Sequence, residues 1–268
     1  MIYFLILILI LFFAYKYDYL GKGRVASNMS YLIRPSKEER SCFLFLLFVF
    51  ICVAAFRYRI GVDSVAYERK YPEIIPLDDL SAEDLFKSEY EPLYYLLASF
   101  ARSITDEFWL LQLFQSLIVN IVMFRFIWRN INNKFVGVFL YYAFLYIPFT
   151  CEVMREACAV SMLLLGWEYL KKDKWLIFSI FLILAVGFHI SAVALIIIPI
   201  LKLTGLWKYM KVNSMTPFLL IGCYIIADII SKVFFDYILL LNISDNLNAK
   251  AEDYGTEEGS LNIFGMLS

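Results

Sequence analysis

The segment FTCEVMREACAVSMLLLGWEYL, residues 149–170, is long enough to cross a membrane but carries charges near its start. On one α-helix, Glu152, Arg155 and Glu156 would be spaced i, i+3 and i+4 and would share a face. Each charge at the centre of a membrane helix costs roughly 2.5–3.5 kcal/mol. This face should therefore meet a charged partner, a water-filled cavity or a polar substrate. Glu152 and Glu156 could neutralise Arg155, and we favour this role for Glu156.

The composition is that of an integral membrane protein. The 268 residues are 62% hydrophobic and 18% aromatic, with a mean hydropathy of +0.70, whereas soluble domains are about 45–50% apolar. The apolar residues fall in blocks. We therefore predict an all-α, polytopic membrane protein with about eight membrane segments in a single transmembrane domain over residues 1–268.

The charges between these blocks predict the orientation of the chain. Basic residues cluster within 16–40, 125–134, 171–174 and 202–211, and positively charged loops are typically cytoplasmic. The segment 57–91 holds five basic and nine acidic residues, which suits an external loop. These assignments place the N-terminus outside, on the non-cytoplasmic side of the membrane.

Two apolar segments are predicted not to cross the membrane as single helices. Residues 92–101 would form a helix about 15 Å long, too short to span, so we expect an interfacial or re-entrant helix. The apolar stretch 175–201 is interrupted around Gly187, and a hairpin there would keep Lys202 on the cytoplasmic side. The final residues, 261–267, resemble the start of another span, so we expect the chain to be truncated at its C-terminus.

This topology brings a set of charged residues to the outer face of the membrane. The set is Arg57, Arg59, Asp63, Glu91, Glu152, Arg155, Glu156 and His189. An arginine fork can bind phosphate through two parallel hydrogen bonds, which makes Arg57 and Arg155 candidate phosphate ligands.

Several of these residues also have simpler explanations. Arg59 could be an interfacial residue, and Asp63 could either orient Arg59 or act as a base. Glu91 precedes a proline and could simply cap the short helix. His189 could be a satisfied core histidine, and Gly61 permits a tight turn.

Other kinds of site find no support in the sequence. We find no glycine-rich phosphate loop, no GxSxG and no HExxH, so no nucleotide or nucleic-acid partner is expected. With one histidine, we predict no metal site and no cofactor, and we leave assistance by a divalent cation open. The five cysteines form no CxxC and are interpreted as small core hydrophobes.

Four segments in order resemble the EpsG family of membrane proteins, which is similar to the Wzy polymerases of bacterial surface polysaccharides. They are FRYRIGVDSVAY (56–67), EYEPLYYLL (89–97), MREACAVSMLLLG (154–166) and GFHISA (187–192). The residues matched to the family are Arg57, Gly61, Asp63, Tyr67, Glu91, Arg155 and His189.

The resemblance implies polymerisation of undecaprenyl-pyrophosphate-linked repeat units in exopolysaccharide, capsule or O-antigen synthesis. This reaction would take place at the outer face of the bacterial cytoplasmic membrane. In that hypothesis Arg57 and Arg155, with Arg59, bind the pyrophosphate. Asp63, Glu91 or His189 removes the proton of the acceptor hydroxyl. The expected partners are the lipid-linked oligosaccharide, membrane lipid, and chain-length regulator and flippase proteins.

The competing interpretations are an O-antigen ligase or a sugar acyltransferase, which would use the same external chemistry. A transporter or flippase is another alternative, although such carriers usually have midplane polar sites and repeated halves, and the sequence shows neither. A non-catalytic subunit of a synthesis complex is a further one.

Overall fold

A computed structural model of the chain describes residues 2–20 and 36–205, and these ranges contain helices and no strand. The predicted all-α class is confirmed for them. Contacts divide the chain into two units, Met1–Leu203 and Thr204–Ser268, and the helices of the described ranges belong to the first unit. The predicted span at 216–241, the external tail 242–268 and much of the first basic loop lie outside the described residues.

The α-helices are α1 (Ile2–Phe13), α2 (Lys37–Ala55), α3 (Val62–Lys70), α4 (Ala82–Lys87), α5 (Pro92–Ile104), α6 (Trp109–Asn130), α7 (Lys134–Tyr141), α8 (Met154–Lys171), α9 (Trp175–Phe188) and α10 (Ile197–Leu203). Wider π-helical segments are Ala14–Leu20, Tyr142–Tyr146 and Pro148–Glu152. Tighter 3-10 segments are Tyr71–Glu73, Leu77–Asp79 and Ile190–Ile196.

Several apolar helices expose apolar faces, as expected of an integral membrane protein. Within the described residues, Ile2–Leu20 and Trp109–Asn130 are long and apolar enough to cross a membrane, and further apolar helices are shorter. Phe4 on α1 and Ile183 on α9 are 64% and 70% exposed, which suits contact with lipid. The predicted number of about eight membrane segments is not confirmed.

Helix α6 lies at the centre of the packing and contacts α2, α5, α7 and α8. Polar side chains on its buried face donate hydrogen bonds to backbone carbonyls of α2 and of the π-helical segment Pro148–Glu152. The Gln115 amide donates to the Phe149 carbonyl at 2.8 Å, and the Ser116 hydroxyl donates to the Ile51 carbonyl at 3.1 Å. Such bonds between membrane helices contribute about 0.6 kcal/mol each on average, so they fix helix orientation more than they add stability.

The basic ends of several helices meet at one end of the bundle. The Asp18 carboxylate accepts a hydrogen bond from the Val136 backbone at 2.8 Å, which joins the end of the first helical stretch to the start of α7. Arg129 near the end of α6 forms an ion pair with Glu168 near the end of α8. The structure thus supports the prediction that these basic segments share one side, while their cytoplasmic location stays a prediction.

The hairpin predicted near Gly187 is present. After α9 the backbone becomes extended at His189 and turns into Ile190–Ile196 and α10. Lys202 on α10 forms an ion pair with Asp173, just before α9, so the two arms run back alongside each other. The turn lies two residues beyond the glycine, and Gly187 packs closely on α5, where a Cβ would lie 2.7 Å from the Leu93 side chain.

Helix α5 is short, as predicted, and the segment predicted to be external lies against its side. Its 13 residues extend about 20 Å, less than the ~30 Å hydrocarbon core. The backbone N–H of Leu77 donates to the Ser103 hydroxyl at 2.7 Å, and the Tyr71 hydroxyl donates to the Thr105 carbonyl at 3.2 Å. The segment 57–91 is therefore folded against α5.

Candidate active site

Glu91 occupies the N-cap position of α5 but does not cap the helix with its side chain. Pro92 follows at the first helical position, where its fixed φ favours helix initiation. The Glu91 carboxylate instead points into the protein, where the residue is only 7% exposed. Side-chain capping therefore does not account for this residue.

Both carboxylate oxygens of Glu91 are held by residues distant in sequence. Nη1 of Arg155, on α8, donates to Oε2 at 2.7 Å. Nδ1 of His189, at the hairpin turn, lies 3.0 Å from Oε1, and the Ile190 backbone N–H donates to the same oxygen at 3.4 Å. Glu91 therefore joins α5, α8 and the hairpin in one charged cluster, Arg155–Glu91–His189.

The surroundings of Glu91 keep its carboxylate ionised. Burial raises its pKa, but the hydrogen bond from His189 and the charge of Arg155 outweigh burial and lower the pKa to about 2. An ionised carboxylate only accepts hydrogen bonds, so Nδ1 of His189 must be the donor. In the neutral ring the lone pair then lies on Nε2, and the His189 side chain, 19% exposed, can accept a proton there.

Two tyrosines hold the Arg155 guanidinium on its other sides. Its Nε donates to the Tyr67 hydroxyl at 3.0 Å, and its carbon lies 5.4 Å from the centroid of the Tyr90 ring. A guanidinium over an aromatic face gains cation–π energy. Nη2 of Arg155 donates to no group in the described part of the chain, and the side chain is 25% exposed. Arg155 can therefore contact a substrate while it remains paired with Glu91.

Arg57 is a second arginine near the start of α8, and it is 7% exposed. Its Nη1 donates to the Ala54 carbonyl and its Nη2 to the Met154 sulfur at 3.4 Å, whereas its buried Nε has no partner. Within residues 2–20 and 36–205, it forms no ion pair with a carboxylate. Burial lowers the pKa of Arg57. A buried cation without a counterion is costly, so Arg57 would gain from a bound anion.

A close backbone approach places the Arg57 loop beside α8. Gly61 has φ +88°, and a Cβ there would lie 2.7 Å from the Cys151 carbonyl oxygen. Cys151 belongs to the π-helical segment that precedes α8, and such segments are frequent at functional sites. Only glycine fits this position without moving the backbone.

In the described part of the chain, neither Arg59 nor Asp63 forms a hydrogen bond or an ion pair with the charged cluster. Arg59 is exposed and forms an ion pair with Glu68 at 3.1 Å, so Glu68 rather than Asp63 orients it. Asp63 is exposed one helical turn before Tyr67 on the same face of α3. Their proposed contacts with substrate stay predictions.

The expected pairing of Arg155 with its neighbours in sequence is wrong. Glu152 ends a π-helical segment and α8 begins at Met154, so the charges do not lie on one continuous α-helix. Neither Glu152 nor Glu156 forms an ion pair with Arg155 in the described part of the chain, and Glu91 does. Tyr90 was not predicted as a site residue, although its position directly before Glu91 and close to two further tyrosines was a usable signal.

The chain matches the EpsG family over residues 40–268 and belongs to it. EpsG is a family of Wzy-like polymerases. No curated protein and no solved structure matches the chain.

Proposed function

We propose that this EpsG-family chain polymerises undecaprenyl-pyrophosphate-linked oligosaccharide units at the outer face of the bacterial cytoplasmic membrane. The cluster Arg155–Glu91–His189 supports this most directly, because it combines a cation for a diphosphate with a histidine able to accept a proton. The cluster lies at the end of the bundle opposite the basic helix ends, which the positive-inside rule assigns to the cytoplasm.

Arg57 and Arg155 bind the pyrophosphate of the donor. Negative charge grows on this group as the glycosidic bond breaks, and fixed positive groups in a buried site stabilise that charge strongly. Arg57 is buried without a carboxylate partner among the described residues, and Arg155 has an outward nitrogen beyond its bond to Glu91. The two guanidinium groups supply this charge, and the proposal uses no cofactor.

His189 is the general base. The oxygen of the acceptor hydroxyl attacks the anomeric carbon of the donor sugar, its proton moves to Nε2 of His189, and the bond to the pyrophosphate breaks. The products are the lengthened glycan on the acceptor lipid and undecaprenyl pyrophosphate. Glu91 orients the imidazole and stabilises the imidazolium, and its low pKa suits this role better than proton abstraction.

Arg59 and Asp63 are assigned to the exposed margin of the site, where they contact the headgroup or the sugar. Tyr67 positions Arg155 through its hydroxyl. A chain-length regulator and a flippase are the partners expected of such an enzyme, since the flippase supplies the lipid-linked unit.

Deletion of the gene, followed by gel analysis of the surface polysaccharide, tests the proposal. We expect single-repeat products in place of a ladder, with the ladder restored by the wild-type gene but not by Arg155→Ala. An unchanged ladder in the deletion strain would contradict the proposal. Lengthened glycan left on its first lipid would indicate a ligase. Loss of an acyl group would indicate an acyltransferase, and loss of all external glycan would indicate a transporter.

A further inference from the structure

A cleft of about 290 Å³, lined by both polar and apolar residues, lies in the segment predicted to be external, outside the charged cluster. Its wall is formed by the end of α3, the segment after it, α4 and the start of α5. This volume is close to the lower limit of ligand sites, which typically measure about 300–1,000 Å³. The cleft is therefore large enough for a small polar group and too small for a lipid chain.

The lining of this cleft suits a hydroxyl-rich ligand better than an anion. It contains three carboxylates and two ammonium groups, Glu73, Asp84, Glu89, Lys70 and Lys87. The excess of acidic groups disfavours a phosphate, in contrast to the neighbourhood of Arg57 and Arg155. Carboxylates accept and ammonium groups donate hydrogen bonds, so both roles of a sugar hydroxyl can be met.

Apolar surfaces lie among these polar groups. Tyr90, Tyr95, Ile74 and Ile75 also line the cleft. A pyranose presents C–H groups on its ring faces and hydroxyls at its edges, so it needs both kinds of surface. Ligand sites with a few polar groups placed among aromatic and aliphatic ones are the usual pattern.

The wall of the cleft is held in place by hydrogen bonds. The Ile75 backbone N–H donates to the Tyr95 hydroxyl at 3.3 Å. Ser81 and Asp84 form a reciprocal capping box at the start of α4. Lys70 and Glu89 form an ion pair between the two sides of the segment. The cleft is thus a formed site rather than a gap between loops.

Tyr90 connects this cleft to the charged cluster. One part of the residue lines the cleft, and its ring centroid lies 5.4 Å from the Arg155 guanidinium carbon. Glu91 is the next residue in the chain. Tyr90 therefore borders both the cleft and the charged cluster.

We infer that the cleft is a saccharide subsite, which binds a sugar of the oligosaccharide unit while the diphosphate of a lipid-linked substrate lies at Arg57 and Arg155. This inference rests on the proposed function and adds a residue set that holds the glycan. Glu73 is the most informative residue, because it is exposed, lines the cleft and forms no ion pair in the part of the chain that the structure describes.

The test compares two probes on the full-length protein purified in detergent. The first is the free repeat-unit oligosaccharide, released by mild acid from the lipid-linked intermediate of the same strain. The second is undecaprenyl pyrophosphate without sugar. The variants are Glu73→Gln, Glu73→Trp and, as the matched control, Asp78→Asn, which changes an exposed carboxylate on the adjacent 3-10 segment outside the cleft.

Glu73→Gln should raise the Kd for the oligosaccharide by about tenfold, the effect of losing one hydrogen bond to a charged group. Glu73→Trp should abolish this binding by filling the cleft, and Asp78→Asn should leave it unchanged. All three variants should bind undecaprenyl pyrophosphate as the wild type does. Oligosaccharide binding that is absent in the wild type, or equal in all four proteins, would overturn the subsite.

The second probe separates this inference from the proposed function. If Arg57→Ala binds undecaprenyl pyrophosphate as tightly as the wild type, the assignment of the diphosphate fails, whatever the oligosaccharide titration shows. In a polymerisation assay, a higher KM for the single unit in Glu73→Gln would assign the cleft to the acceptor. A higher KM for the preformed lipid-linked polymer would assign it to the donor.

Discussion

Nδ1 of His189 lies 3.0 Å from Oε1 of Glu91, although 98 positions separate the two residues in the chain. The hairpin turn and the start of α5 must pack together to form this contact. Gly187 permits the approach, because any Cβ at that position would press on Leu93. The geometry fixes the tautomer of the imidazole and directs the basic nitrogen away from the carboxylate.

Glu91→Gln should reduce polymerisation strongly while the protein still inserts. The amide is neutral and can donate a hydrogen bond, so it no longer enforces the tautomer with its lone pair on Nε2. A positioned general base contributes about 10²–10⁴-fold to the rate, so we expect kcat to decrease by a factor in that range. Glu91→Asp should restore part of kcat if the shorter carboxylate still reaches His189. Equal kcat values in the wild type and Glu91→Gln would exclude the positioning role.

Arg155→Lys should be nearly as inactive as Arg155→Ala. A lysine can pair with Glu91, but it cannot also donate from a second nitrogen to Tyr67 and present a third to a phosphate. The control is Arg125→Lys, which changes an exposed arginine 3.7 Å from the Glu168 carboxylate at the basic end of the bundle. We expect Arg125→Lys to retain the ladder. A full ladder from Arg155→Lys, or loss of the ladder in both lysine variants, would contradict this role of Arg155.

Acid should destabilise the protein through Glu91. Its pKa is depressed from 4.5 in the unfolded chain to about 2 in the folded protein. The contribution of Glu91 to the free energy of unfolding is therefore fully present above pH 4.5 and is lost as pH falls toward 2. Its full size is roughly 3 kcal/mol. Thermal unfolding of the purified protein between pH 5 and 3 should show this loss.

Glu91→Gln should flatten the acid dependence in that window. The control is Glu89→Gln, which removes an exposed carboxylate two residues away. If Glu91→Gln and the wild type lose stability equally between pH 5 and 3, the paired state of Glu91 is not the cause.

Gly61→Ala should destabilise the protein more than Gly187→Ala. At Gly61 the new methyl group meets the Cys151 carbonyl oxygen at 2.7 Å, and φ is +88°, so both backbone strain and a backbone clash arise. We expect a cost of about 1–3 kcal/mol or more. At Gly187 the neighbour is a side chain, with Cδ1 and Cγ of Leu93 both 2.7 Å from the added methyl group, and a side chain can move more readily than a backbone carbonyl. Thermal unfolding in detergent measures both, and a smaller loss for Gly61→Ala would contradict the close packing.

Span length and loop charge predicted the hairpin and the short helix α5 from sequence. The basic ends at Arg129 and Lys202 required a reversal near Gly187, and the ion pair between Lys202 and Asp173 shows that reversal. These features depend on the length of one apolar segment and the charges beside it, and both can be read directly from the sequence.

The ion-pair partner of Arg155 could not be predicted from segment length and loop charge. Glu156 is adjacent in sequence, but neighbouring residues on a helix do not face each other. The partner, Glu91, comes from a segment 64 positions away, and only the packing of α5 against its neighbours brings it there. Likewise, the helix is interrupted at Val153. The i, i+3 spacing of Glu152 and Arg155 therefore did not predict that they share a helical face.

Purified protein in lipid vesicles, supplied with lipid-linked repeat units, tests the central claim most directly. The products are separated by length on a gel for the wild type and for His189→Gln, which keeps a polar side chain but has no basic nitrogen. We predict a ladder of lengthened glycans from the wild type and unlengthened units from the variant. Absence of lengthening by the wild-type protein, or an equal ladder from His189→Gln, would contradict the account.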